Sequence, residues 1–152
     1  MKMSKILCPV DFSDHSNRTL EYAVFFALAN HATLILLHVV EHVHTHDHFL
    51  IINLSPEEIS EKLERRAREK LNLLAHKYQD SIAVDTAVRT GKPFVEIVKM
   101  AKEFDIDLIV MGSHGRTGIT HLLIGSVAEK VTRKATCPVL VFKDKKAKFE
   151  MP

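Results

Sequence analysis

Cysteine is scarce in this chain of 152 residues: there are two, Cys8 and Cys137. They lie far apart, each beside a proline, in no spacing that suits a metal site or a redox pair, so buried reduced thiols are expected. An excess of either charge is also missing. Lysine and arginine number 21 against 19 acidic residues, giving a net charge of +2 with both signs interleaved. That pattern carries no electrostatic footprint for nucleic acid, and no nucleic-acid partner is expected. The basic run from Lys143 to Lys148, in a tail covering 144–152, reads as a solvated terminus. Long apolar runs are absent too. The longest, Ala32 to Val40, falls far short of the roughly 20 residues a membrane span needs and is broken by His38. The apolar residues ahead of Asp11 are too few for a signal peptide, so a cytoplasmic protein without membrane insertion is expected.

Glycine is scarce and concentrated. Of the five glycines, four stand between Met111 and Ser126. This stretch follows the apolar run Leu108-Ile109-Val110-Met111 and precedes a helical pattern, so it reads as a glycine-rich loop between a buried strand and a helix N-terminus. Such loops bind phosphates with their amides and with the positive end of the helix dipole.

With 46% hydrophobic residues, the chain is long enough for one well-buried core and too short for two ordinary ones. One domain over residues 1–152 is expected, with its core in about 5–143, and there is no repeat, low-complexity linker or internal boundary. Strands are expected at Lys5–Val10, Thr33–Val40, Ile82–Arg89, Asp107–Met111 and Pro138–Phe142. The first should stop pairing near Pro9, which has no amide to donate. The third alternates, with Val84, Thr86 and Val88 on one side and Asp85 and Arg89 on the other, as in a strand near a sheet edge.

Four helices alternate with these strands. The first is capped by Ser13 or Asp14 and runs to about Asn30, with Leu20, Ala23, Val24, Ala27 and Leu28 inward. The second opens at Ser55-Pro56-Glu57-Glu58, a capping box, and buries Ile59, Leu63, Ala67, Leu71 and Leu74. Arg65, Arg66, Arg68 and Lys70 fall on its solvated side. The third follows Gly91-Lys92-Pro93 and buries Phe94, Ile97, Val98, Ala101 and Phe104. The fourth begins where Ser126 and Glu129 repeat the capping-box spacing, ahead of Val127, Val131 and Ala135. His38 reads as a core histidine with a satisfied nitrogen. His42, His44, His46 and His48 recur at every second residue, which is a candidate metal set on an extended chain and reads more simply as a polar surface loop.

Strands alternating with helices predict an α/β fold: a single three-layer, doubly wound domain with a five-stranded parallel sheet and helices on both faces. The most economical strand order is 3-2-1-4-5. In that order the chain reverses direction between strands one and four, and a crevice opens at their carboxyl ends, bringing together Asp11 and the glycine loop. Gly112, Gly115 and Gly125 would let a ligand approach the backbone and permit positive φ angles. Ser126 adds a hydroxyl at the helix entrance. These groups suit a polyphosphate, and Asp11 suits ribose hydroxyls or a magnesium ion on the phosphates. The loop is neither a Walker A motif nor a G-x-G-x-x-G.

These residues resemble the universal stress protein family in its ATP-binding branch. The branch pattern G-x2-G-x9-G-S/T is met by Gly112, Gly115, Gly125 and Ser126. Pro9-Val10-Asp11-Phe12-Ser13 is similar to the family's first strand end, Leu36-Leu37-His38-Val39 to its second, and Gly91-Lys92-Pro93 to its third helix start. The likeness spans about Lys5 to Lys143. It implies an adenine nucleotide alpha hydrolase-like fold binding ATP, ADP or AMP with magnesium or manganese. Adenine would lie near Pro9, Val10 and the backbone of Val39. Asp11 would meet the ribose or metal, and Met111, Gly112, Gly115, Arg116, Gly125 and Ser126 would hold the ribose and phosphates. It further implies a homodimer through Val139, Leu140, Val141 and Phe142, an apolar edge strand that would otherwise invite aggregation, and a regulatory protein partner of unknown identity. The histidine-rich segment departs from the family pattern.

His114, Arg116 and His121 stand where a hydrolase would position water and charge, but loop residues more often only bind phosphate. The expected function is therefore a nucleotide-responsive regulator in stress response with slow or no hydrolysis. The alternatives are an active nucleotide hydrolase or transferase, or an interaction module with incidental nucleotide or with metal on the His42 to His48 segment.

Overall fold

The computed structural model describes residues 3–42, 55–114 and 124–143. Its elements alternate as expected: β1 (Lys5–Pro9), α1 (Asp14–Asn30), β2 (Thr33–Val40), α2 (Pro56–His76), β3 (Val84–Thr90), α3 (Pro93–Glu103), β4 (Leu108–Gly112), α4 (Ser126–Lys134) and β5 (Val139–Phe142). The strands form one sheet in the order β3-β2-β1-β4-β5. Every neighbouring pair is parallel. The order 3-2-1-4-5 is thus observed.

Period-two alternation splits the sheet's side chains between two cores. Ile6 and Cys8 of β1, Leu34 and Leu36 of β2, and Leu108 and Val110 of β4 pack with Leu20, Ala23, Val24 and Ala27 of α1 and Leu71 of α2. Leu7, Ile35, Leu37, Ile109 and Met111 point the other way, against Ile97, Met100 and Ala101 of α3 and Ala128 and Val131 of α4. α1 and α2 therefore cover one face, and α3 and α4 cover the other. Among the described residues no helix is long and apolar enough to cross a membrane.

The helix ends follow their local chemistry. Ser13 caps α1 by accepting the Ser16 N–H at 3.1 Å. At α2, Glu58 donates its N–H to Ser55 Oγ at 3.2 Å while its carboxylate accepts the Ser55 N–H at 2.7 Å, which completes the expected capping box.

Three inward assignments are corrected. Leu28 and Phe104 are 45% and 44% exposed, and Leu63 is also exposed. Leu28 and Leu63 sit at the rim of their stripes. Leu63 lies in the first half of α2, ahead of Ala67 and Leu71, the buried residues of that helix. Phe104 lies one residue past the end of α3 at the C-cap.

The second expected capping box, at Ser126 and Glu129, does not form. Gly125 is the N-cap of α4 and Ser126 is its first helical residue, because the Glu129 N–H already closes on the Gly125 carbonyl at 3.0 Å.

Candidate functional site at the carboxyl ends of β1 and β4

β1 and β4 are adjacent in the middle of the sheet, and the helices that follow them leave to opposite faces. Their carboxyl ends therefore bound a crevice at the topological switch point. Pro9 is the last residue of β1, paired with Leu37. One residue further, Val10 donates its N–H to the Leu37 carbonyl at 2.8 Å. Its carbonyl accepts from His38 Nδ1 at 2.6 Å, and since a carbonyl can only accept, Nδ1 carries the proton. The expected satisfied nitrogen of His38 is thus observed.

Asp11 follows, half-buried. Its Oδ1 accepts two hydrogen bonds from Ser13, from the hydroxyl at 2.6 Å and the N–H at 3.0 Å. Its own N–H donates to Ser16 Oγ at 3.2 Å. Between Asp11 and Ser13, Phe12 adopts φ +64°. This left-handed conformation is uncommon for a residue with a β-carbon.

Val39 belongs to β2, whose ladder alternates sides. Leu37 offers its carbonyl to Val10 on the β1 side, and Val40 offers its own to Gly91 on the β3 side. By that alternation Val39 turns its N–H and carbonyl toward β1, just beyond where β1 ends. The Val10 and Met111 side chains are core groups, 3% and 5% exposed.

On the β4 side, Gly112 ends the strand and Ser113 follows, buried, donating its N–H to the Phe142 carbonyl at 2.7 Å. Ser113 Oγ lies 2.8 Å from His114 Nδ1. The Ser113 carbonyl accepts the Gly125 N–H at 2.6 Å, so the two ends of the glycine loop are fastened to each other. Ser126 then opens α4, where the first-turn amides and the helix dipole offer positive potential.

The positive φ expected at Gly112 and Gly125 is not observed. Gly91 is the glycine with positive φ among the described residues, so Gly112 and Gly125 do not serve an unusual backbone conformation. They are small for want of room. A β-carbon on Gly112 would lie 2.6 Å from Cδ2 and Nε2 of His15 and 3.2 Å from Thr19 Oγ1. One on Gly125 would lie 3.0 Å from the Ser113 carbonyl oxygen.

His15, in the first turn of α1, also meets His114 edge-on, with ring centroids 6.4 Å apart. Contacts through Ser16, His15, Gly112, Ser113 and Gly125 therefore join the Asp11 half of the crevice to the α4 half. Sequence reasoning passed over His15, Ser113 and Lys70, whose ammonium stands 5.1 Å from the centroid of the Phe12 ring. Lys70 was hidden in a charged run, and no spacing marked the other two.

Gly115, Arg116 and His121 lie outside the described residues, as do His44, His46 and His48 and the tail 144–152; His42 is exposed. Beneath the site, burial pushes the Cys8 thiol from 9.0 up to about 12. Cys137 is half-buried and its pKa is raised, chiefly by desolvation.

Such a crevice between two diverging βα turns defines the doubly wound α/β proteins that take ligands at the switch point of the sheet. Within that class, the model of the universal stress protein family matches residues 2–143, and the chain belongs to that family. Universal stress protein MJ0577 of Methanocaldococcus jannaschii is 35% identical over 154 aligned residues, covering 93% of this chain and 95% of the relative. The solved structure of MJ0577 superposes with a TM-score of 0.82 at 33% identity, covering 96% of this chain and 99% of that one. UspA of Lactobacillus plantarum superposes with a TM-score of 0.80 at 26% identity, over 93% of this chain and 98% of that one. Two further members were solved as complexes, each at 24% identity and covering 93% of this chain and 98% of its own. One holds cAMP, with a TM-score of 0.63, and the other, from Archaeoglobus fulgidus, holds dAMP, with a TM-score of 0.65.

Proposed function

We propose that this protein is a cytoplasmic, single-domain universal stress protein of the ATP-binding branch, a nucleotide-responsive regulator that hydrolyses ATP slowly or not at all. The observation that carries the reading is the meeting of the Asp11 turn with the Gly112–Ser113 and Gly125–Ser126 segments at the ends of β1 and β4. The cAMP and dAMP complexes of the two relatives support an adenine ligand for a fold of this kind.

In this reading the backbone of Val39 reads adenine beside Pro9 and Val10, and the free edge of the Asp11 carboxylate takes the ribose hydroxyls. The amides of Gly112 and Ser126 face the ribose and phosphates, with Met111 and Gly125 beside them and Gly115 and Arg116 contributed by the loop. Among the described residues no three potential metal ligands cluster. Were Asp11 to meet the metal in place of the ribose, magnesium or manganese would be held by it together with phosphate oxygens, a donor set that suits an ion keeping most of its waters. Its chemistry is to neutralise phosphate charge.

The assembly is a homodimer through β5, and a protein partner reads its nucleotide state. β5 carries no charged residue, whereas Arg89 on the opposite edge strand is paired with Glu96 and Glu103. Charged side chains blunt an edge, and an apolar edge invites pairing. The test of the regulatory reading is turnover of ATP with magnesium by purified protein. Rates far below about 1 per second are expected, and rates at or above that range would make the protein an enzyme.

A further inference from the structure

We infer that His38 positions the nucleotide-binding turn by holding the residues on both sides of Asp11. The inference rests on the nucleotide reading of the crevice. β1 ends at a proline, and the ladder to β2 should fail there for lack of strand geometry beyond it. Instead both main-chain groups of Val10 are tied to β2, the N–H to the Leu37 carbonyl at 2.8 Å and the carbonyl to His38 Nδ1 at 2.6 Å. At the Val10 carbonyl a side chain has taken over from the backbone.

The same imidazole supports Phe12. The two rings are 4.4 Å apart between centroids and inclined at 32°. On Phe12 the Lys70 ammonium also stands, 5.1 Å from the ring centroid. Phe12 has φ +64°, a conformation that is unfavourable for a residue with a β-carbon and persists only where surroundings enforce it. β2 and α2 supply that enforcement through His38 and Lys70. Asp11 is carried between Val10 and Phe12, so the direction of its carboxylate, with Oδ1 turned to Ser13, is set by groups that His38 holds on either side. His38 is a positioning residue, and the donor on Nδ1 is the part that matters most.

Two substitutions separate donor from ring. His38→Asn keeps an N–H donor at the same distance along the side chain and loses the ring; His38→Phe keeps a ring and loses the donor. ATP with magnesium is titrated into each variant by calorimetry, and amide exchange is followed across Val10 to Ser13. His38→Phe is expected to bind about tenfold more weakly, the cost of one unsatisfied buried acceptor, and to exchange faster in this turn. His38→Asn is expected to stay within about threefold of the unaltered protein. Leu34→Val, at the other end of β2, controls for stability and is expected to bind normally.

Three results overturn the inference: unchanged binding and exchange in His38→Phe, equal weakening in His38→Asn, or equal weakening in Leu34→Val. If the unaltered protein binds no ATP, the nucleotide reading fails instead. In that case the exchange of the Val10 to Ser13 amides in His38→Phe still decides whether His38 holds the turn.

Discussion

The imidazole edge of His15 lies against the α-carbon of Gly112, where a β-carbon would stand only 2.6 Å from Cδ2 and Nε2. The pair links the first turn of α1 to the end of β4 across the crevice. Gly112 is therefore required by a neighbour in the protein, whatever its contact with a ligand. Gly112→Ala is expected to destabilise by about 1–2 kcal/mol, in the range for overpacking, unless the imidazole swings out. In a His15→Ala background the same change should cost little, giving a coupling on the order of 1 kcal/mol in urea denaturation. Additive effects would show that the imidazole yields freely.

Gly125 makes a parallel case with a harder neighbour. Serine is ordinarily at least as good an N-cap as glycine. Here its β-carbon would meet the Ser113 carbonyl oxygen at 3.0 Å, the same oxygen that accepts the Gly125 N–H. Gly125→Ser is expected to lower stability by about 1 kcal/mol and to speed amide exchange at residue 125. A gain in melting temperature would contradict the close approach.

The Cys8 thiol gives a pH dependence of definite sign. Its folded-state pKa is about 12 against an ordinary 9.0, so above pH 9 the unfolded chain has released a proton that the folded chain keeps. The unfolded state then binds fewer protons, and stability falls as pH rises from about 9 toward about 12, by up to about 1.4 kcal/mol per pH unit. Below that window the thiol contributes no slope. Cys8→Ala should flatten this part of the curve of urea midpoint against pH. A slope identical to that of the unaltered protein would mean the thiol ionises without unfolding.

The edge strand allows a selective test of the dimer. Pro138 and Phe142 offer their carbonyls to β4, which leaves the N–H of Val141 facing outward. Val141→Pro therefore removes an outward donor and no ladder bond to β4. It is expected to convert a dimer to a monomer in sedimentation with the circular dichroism of the sheet kept. A dimer that persists would assign the interface to another face.

The sheet was legible in the sequence because buried parallel strands are nearly unbroken apolar runs, and handedness and short crossovers left one economical order. What escaped lies where distant segments meet. No local pattern announces that His15 will fill the space beside Gly112, or that Lys70, one charge in a basic run, will cover Phe12. Left-handed residues were missed for a related reason: Phe12 and His31 take φ of +64° and +50° with no glycine to mark them. The start of α4 shifted by one residue because a tertiary hydrogen bond, Gly125 N–H to the Ser113 carbonyl, fixed the cap in place of the local Ser126 and Glu129 spacing.

The central claim is that the crevice between the Asp11 turn and the α4 entrance takes an adenine nucleotide, and calorimetric titration of ATP with magnesium into the purified, nucleotide-stripped protein tests it most directly. The account predicts one ATP bound per chain, with affinity reduced at least about tenfold in Asp11→Ala, as for loss of a charged hydrogen-bonding partner. Absence of binding, or binding that Asp11→Ala leaves unchanged, would contradict it.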